Sequence, residues 1–129
     1  MTKAESSEDI IKLTQTVLLK QLNFLRTNKL MQELLAWELS GNSTFRSIQD
    51  ERERNGFKLQ EELEKKLGKE SKDVRMFITI LIASINYIVL ATRQYRIFNG
   101  IDSSNPEAWE LCKQTIYKYI RALFENILK

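Results

Sequence analysis

The residues that could do chemistry in this chain are few, and what is missing narrows the choice. None of the 129 residues is histidine. That removes the commonest general base near neutral pH, the Ser-His-Asp relay and every histidine-ligated metal. Paired acids stand at Glu51 and Glu53 and at Glu61 and Glu62, candidates for acid-base work or for a carboxylate-bridged metal. A di-iron bundle, however, couples its glutamates with a Glu-x-x-His repeat. These acids lie instead in the mixed run QDERERNGFKLQEELEKKLGKESKD, which reads as a solvated helix face. There is no glycine-rich phosphate loop, and Cys112 is the single cysteine, so neither a cysteine cluster nor an intrachain disulfide exists. The expectation is a protein that is not an enzyme and uses neither cofactor nor metal.

The informative polar residues sit where the chain is most apolar. At about 100° per residue, Asn86 shares a helix face with Arg75, Thr79 and Arg93, a narrow polar stripe on a greasy cylinder. The stripe either faces solvent or a neighbouring helix, or it carries hydrogen bonds across a subunit junction or into a ligand cavity. An unpaired buried amide is excluded by its cost of a few kcal/mol. Ser84 lies on another face beside Phe77, Ile80 and Tyr87, and either bonds to its own helix or lines a pocket. Trp37, Phe57 and Phe77, with Leu81 and Ser84, are the candidate walls of an apolar ligand cavity. Aromatics at helical spacing equally make ordinary core.

The elements that must position these residues are helices. One proline, four glycines and 43% hydrophobic residues in a chain of this length favour one all-α domain over residues 1–129, with residues 1–8 a flexible segment. The pattern predicts five helices, over about 8–27, 29–39, 45–67, 72–98 and 106–128. The first carries Ile10, Leu13, Val17, Leu18, Phe24 and Leu25 on an apolar arc. Gly41 suits a left-handed helix end, Asn42, Ser43 or Thr44 the next N-cap, and Gly68 a further stop. Gly56 inside the third helix costs about 1 kcal/mol relative to alanine and marks a kink or a close contact.

The fourth helix is apolar nearly all round and must therefore be surrounded. Its stretch Met76 to Ala91 is shorter than the roughly 20 apolar residues that cross a bilayer, so a buried core helix is expected. Gly100 is expected to end it, and Ser104 or Asn105 to cap the last helix before Pro106. That last helix has an apolar arc centred on Trp109, Cys112, Ile116, Ile120, Leu123 and Ile127, too wide for one neighbour to cover.

Twenty basic residues are dispersed among seventeen acidic ones, a formal charge of +3. This gives weak support for nucleic-acid binding, which needs Lys and Arg gathered on one face. With one cysteine and no basic-then-apolar leader, the expected compartment is the cytoplasm, with no membrane partner.

Three stretches together, LLAWEL at 34–39, INYIVLATRQYRIFNGID at 85–102 and EAWELCKQTIYKYIRALF at 107–124, resemble the C-terminal regulatory domain of TetR-type transcriptional regulators. The resemblance runs from about Ile10 to the end of the chain. It implies an antiparallel helical bundle that dimerises through its last two long helices as a four-helix bundle, and a small, usually apolar effector held among the earlier helices. On that reading Asn86, Arg93, Trp109 and Ile116 belong to the dimer interface, together with Ile120, Leu123, Phe124 and Ile127. Leu123→Arg or Phe124→Asp would then give monomer or aggregate. The chain departs from the family in lacking a helix-turn-helix head ahead of Glu8, so it reads as the regulatory half alone and is not expected to bind DNA by itself. A different class of function also fits, a stand-alone helical interaction or scaffold protein that docks its last helix onto another protein and takes no ligand.

Overall fold

The computed structural model of the chain describes residues 3–41, 46–67 and 71–127. It is all-α apart from one small hairpin, in the order α1 (Lys3–Thr27), α2 (Lys29–Leu39), α3 (Arg46–Leu67), α4 (Ser71–Gln94), β1 (Ile97–Phe98), β2 (Ile101–Asp102) and α5 (Pro106–Ile127). The helix begins at Lys3, ahead of the expected start near Glu8. The expected caps Asn42, Ser43 and Thr44, the expected helix start Phe45, the stop Gly68 and the end Leu128 lie outside the described residues.

α1 is the hub: α4 and α5 both pack on it, as does α2, while α3 touches chiefly α4. Leu18 and Leu22 of α1 are 1% and 0% exposed; Ile78 and Ile85 of α4 meet this core from one side, and Ile120 and Phe124 of α5 from the other. The buried arc of α1 is turned from the one its apolar pattern suggests. Leu13 and Phe24 are exposed, whereas Thr14 and Gln15 are covered. The hub position is the reason, because a helix wedged between two others buries more of its circumference than its apolar residues fill. Thr14 donates to the Ile10 carbonyl at 3.0 Å, and Gln15 reaches across to the Tyr117 carbonyl of α5 at 2.9 Å.

The break between α1 and α2 is a single residue. Asn28 is the N-cap of α2, its side chain accepting from the Met31 amide at 3.0 Å. From α2, Gln32 turns back and donates to the Leu25 and Arg26 carbonyls at 2.7 and 3.2 Å, which satisfies the orphan acceptors at the end of α1. Gly41 takes φ +87 beyond the end of α2, the left-handed residue that stops it. Gly56 has no neighbour within 4 Å of where a side chain would start, so it marks no close helix contact.

Two sequence expectations for the fourth helix are corrected. It stops at Gln94 instead of Phe98, and Asn99–Gly100 is the tip of a hairpin with Phe98 facing Ile101 and Ile97 facing Asp102. Asn99 at φ +52 and Gly100 at φ +77 are the two positive-φ residues that a two-residue type I′ turn needs, and Ile-Phe and Ile before and after them suit strands. Nor is α4 a buried core helix within its own chain. Its Lys72–Gln94 span is long and apolar enough by length and composition to cross a membrane, and only 22% of that span's most apolar window is buried by the chain. Met76, Ile80 and Tyr87 stand on the uncovered side.

α5 starts as its sequence suggests. Asn105 Oδ1 accepts from the Glu107 amide at 3.0 Å, with Pro106 at the first helical position. α5 leans on α1, which covers Ile116, Ile120 and Phe124 and leaves the flanking Tyr117 and Tyr119 exposed.

Candidate functional site

Two helices that rest on the same third helix without closing on each other leave a furrow between them. α4 and α5 do this over α1, and the furrow has a volume of 340 Å³. Its floor is the buried pair Ile85 and Ile116. Leu81, Ser84, Ile88 and Thr92 rise from α4, at the three- and four-residue spacing that puts them along one helix flank. Trp109, Cys112 and Thr115 face them from α5, and Phe98 and Ile101 of the hairpin wall the end where the chain crosses from one helix to the other.

The furrow is apolar and uncharged. Trp109 is 9% exposed; its indole Nε1 donates to the Ser103 carbonyl at 2.8 Å, and the Arg26 guanidinium lies 4.1 Å from its ring centroid. Burial holds the Arg26 pKa below its ordinary value, and a guanidinium keeps its charge in proteins. Burial also pushes the Cys112 thiol up, with Arg26 nearby only partly opposing it. A thiol protonated at neutral pH is a poor nucleophile, so Cys112 contributes shape and polarizability to the wall.

A second, wider groove runs between α3 and α4. Phe57, Ile82 and Tyr87 make its apolar part, while Glu53, Arg54 and Lys58 rim it with charge of both signs. Arg75 crosses from α4, pairing with Glu64 and placing its guanidinium 5.7 Å from the Phe57 ring centroid.

The five residues read from the sequence as cavity walls are not brought together. Leu81 and Ser84 line the α4–α5 furrow, and Phe57 lines the α3–α4 groove. Phe77 is packed against the core, and Trp37 is half exposed on α2. The polar stripe of α4 is answered from within the chain. Arg75 meets Glu64 of α3, Thr79 bonds to the Arg75 carbonyl, Asn86 accepts from Gln21 of α1 at 3.3 Å, and Arg93 pairs with Glu33 of α2. Asn86 and Arg93, expected at a subunit junction, are thus engaged by their own protomer.

Of the remaining interface candidates, Ile120 and Phe124 are 0% exposed and offer no surface to a partner. Leu123 and Ile127 are partly buried against the same core. Trp109 and Ile116 belong to the furrow. What α5 leaves uncovered is a different set, Leu111, Tyr117 and Tyr119. Thr92, Ala108 and Thr115 are among the furrow walls that the apolar pattern does not single out. Their signal was present in small residues at three- and four-residue spacing (Ala108, Cys112, Thr115), which admit a space beside a helix without showing which helix lies across it.

The acid pairs do not form a centre: Glu51, Glu53, Glu61 and Glu62 are exposed on α3. Among the described residues no group of His, Cys, Asp or Glu is arranged to hold a metal ion. No protein-family model matches the chain, and no curated protein or solved structure matches it.

Proposed function

We propose that the chain is a homodimerising, effector-sensing helical domain of the TetR-regulator kind. It pairs with a second copy through the outer surfaces of α4 and α5 as a four-helix bundle, and couples a small apolar ligand to a DNA-reading head that these residues do not supply. It is neither an enzyme nor, by itself, a DNA binder, and it works in the cytoplasm.

One observation carries this reading. From Met76 to Thr92, α4 has no charged residue, yet Met76, Ile80 and Tyr87 are 61%, 54% and 61% exposed. On α5, Leu111 at the furrow's edge and Tyr119 are 61% and 54% exposed. Soluble monomers rarely leave such an uncharged apolar helix face uncovered, and that face of α4 suits the same face of a twin, with the exposed Lys118 and Glu107 of α5 at its rim. The interface belongs on this outer flank and not on Ile120 or Phe124, which the protomer itself consumes.

A second reading, a stand-alone helical interaction domain without a ligand, is favoured by the furrow's being open and lying between α4 and α5, where a cavity enclosed among the first four helices would speak for an effector. Native mass spectrometry and light scattering at physiological salt separate the two. The expected result is a dimer, with Ile80→Asp and Tyr119→Asp each giving a folded monomer, because each puts an unpartnered charge into the junction while leaving the protomer core untouched. A monomer of the unaltered chain sinks the dimer and favours the docking protein. A chain that is extracted only with detergent assigns the α4 face to a lipid bilayer instead. A salt-sensitive shift of a DNA duplex by the chain alone removes the need for a separate head.

A further inference from the structure

The α4–α5 furrow, we infer, is the effector site, and its occupant is a neutral apolar molecule that carries at most a hydrogen-bond donor. This rests on the regulatory reading above and moves the ligand from the earlier helices to the last two.

Every hydroxyl in the furrow has already committed its proton. Ser84 Oγ donates to the Ile80 carbonyl at 2.7 Å, and Thr92 Oγ1 to the Ile88 carbonyl at 2.8 Å. Ser103 Oγ donates to the Arg96 carbonyl at 2.8 Å, and Thr115 Oγ1 to the Leu111 carbonyl at 2.7 Å. A hydroxyl has one proton and two lone pairs. What these four present to the furrow is therefore acceptor capacity only. The indole N–H of Trp109 is likewise taken, by the Ser103 carbonyl. No charged side chain lines the furrow among the described residues.

A carboxylate or phosphate placed here would meet lone pairs and hydrocarbon with no free N–H to replace its water, because the Arg26 guanidinium is held against the Trp109 ring and does not line the furrow. A cation would find no carboxylate. A neutral ring system or short chain with one O–H or N–H loses little water and can give its proton to Ser84, Thr92 or Thr115. The volume, 340 Å³, falls at the small end of the roughly 300–1,000 Å³ typical of ligand sites. The hairpin residues Phe98 and Ile101 stop the furrow at one end, which suits a compact molecule better than a helix running through. Strand addition is also closed to it, because the backbone of both long walls is helical and already bonded.

The test uses two fluorescent probes on the same aromatic skeleton, neutral N-phenylnaphthylamine, which has one N–H donor, and its sulfonated relative anilinonaphthalene sulfonate. Each is titrated against the full chain and against two variants that fill the furrow from opposite walls, Ser84→Phe and Thr115→Phe, with circular dichroism and native mass checking fold and assembly. The expected result is saturable binding of the neutral probe, about tenfold or more tighter than the sulfonate, with about a tenfold loss in both variants. Equal or tighter sulfonate binding overturns the neutral-ligand assignment. Neutral binding that both folded variants retain overturns the site. A dimer that binds neither probe sinks this inference and leaves the assembly standing, whereas a monomer that binds the neutral probe in the furrow keeps the site and removes the dimer.

Discussion

Arg26 at the end of α1 lies with its guanidinium 4.1 Å from the centre of the Trp109 ring at the start of α5. The contact joins two helices eighty-odd residues apart in sequence and fixes one wall of the furrow, because the same indole donates to the Ser103 carbonyl at 2.8 Å. Trp109 is 9% exposed, so Trp109→Ala is expected to cost about 3–5 kcal/mol, read from urea unfolding. Trp109→Phe keeps most of the apolar contact and loses the N–H bond, a cost nearer 1 kcal/mol. Equal midpoints for both variants would mean that the ring does not anchor α5.

Two buried glutamines make opposite predictions. Gln32 answers the Leu25 and Arg26 carbonyls at the end of α1, so Gln32→Leu strands acceptors in a covered place and should destabilise by about 1–3 kcal/mol. Gln15 donates to the Tyr117 carbonyl, but its own Oε1 is buried without a hydrogen-bond partner. Gln15→Met removes that unsatisfied oxygen at similar volume and should change stability by less than about 1 kcal/mol, in either direction. A chemical-denaturation series containing both variants checks the contrast; a large loss from Gln15→Met would show that its single donated bond matters more than the stranded oxygen.

Glycine substitutions at Gly56 and Gly100 should also diverge. Gly56 sits in α3 with open space around it, and Gly56→Ala should stabilise by about 0.5–1 kcal/mol through lower unfolded-chain entropy. Gly100 holds φ +77 in the hairpin turn, where alanine is strained, so Gly100→Ala should lower the melting point and loosen the end wall of the furrow. A rise in melting temperature from both would contradict the type I′ turn.

The Arg121–Glu8 pair, with bonds of 3.0 and 2.8 Å, ties α5 to the first turns of α1 and holds the Glu8 carboxyl below its ordinary value near 4.5. Asp102 is lowered too, by two bonds from Ser104. A carboxyl depressed in the folded state stabilises fully above its unfolded pKa, and that stabilisation is lost as pH falls through the folded pKa. Melting temperature should therefore be flat near neutrality and fall from about pH 4.5 downward. Arg121→Gln should lower it at neutral pH, and the gap to the unaltered chain should close in acid and shrink in high salt, because the pair is exposed. A gap independent of pH would assign the loss to packing of the arginine stem.

Phe124→Asp separates the two views of α5. With Phe124 at 0% exposure, the variant should lose the protomer fold, seen as collapsed helical ellipticity, instead of giving a well-folded monomer. A folded monomer would return Phe124 to the subunit junction.

Much was determined by the sequence alone. Scarce glycine and proline with periodic apolar residues dictated long helices, and Gly41 and Asn105 marked helix ends because capping and left-handed turns depend on local chemistry. Asn99–Gly100 between strand-forming residues carried the hairpin as well, although the long apolar run before it invites extending the helix. The absence of histidine excluded every histidine-based catalytic or metal site in these residues. Which face meets which neighbour was decided only by the tertiary structure. An apolar arc states that it must be covered and not by what, so Ile120 and Phe124 could serve a core or a junction until α1 was seen to occupy them. The polar stripe of α4 was visible as a stripe, but its partners Glu64, Gln21 and Glu33 come from three helices whose order around α4 no local pattern encodes. The furrow exists because α4 and α5 share α1 and do not close on each other, and the space between two helices is a property of their placement, which no single helix's residues contain.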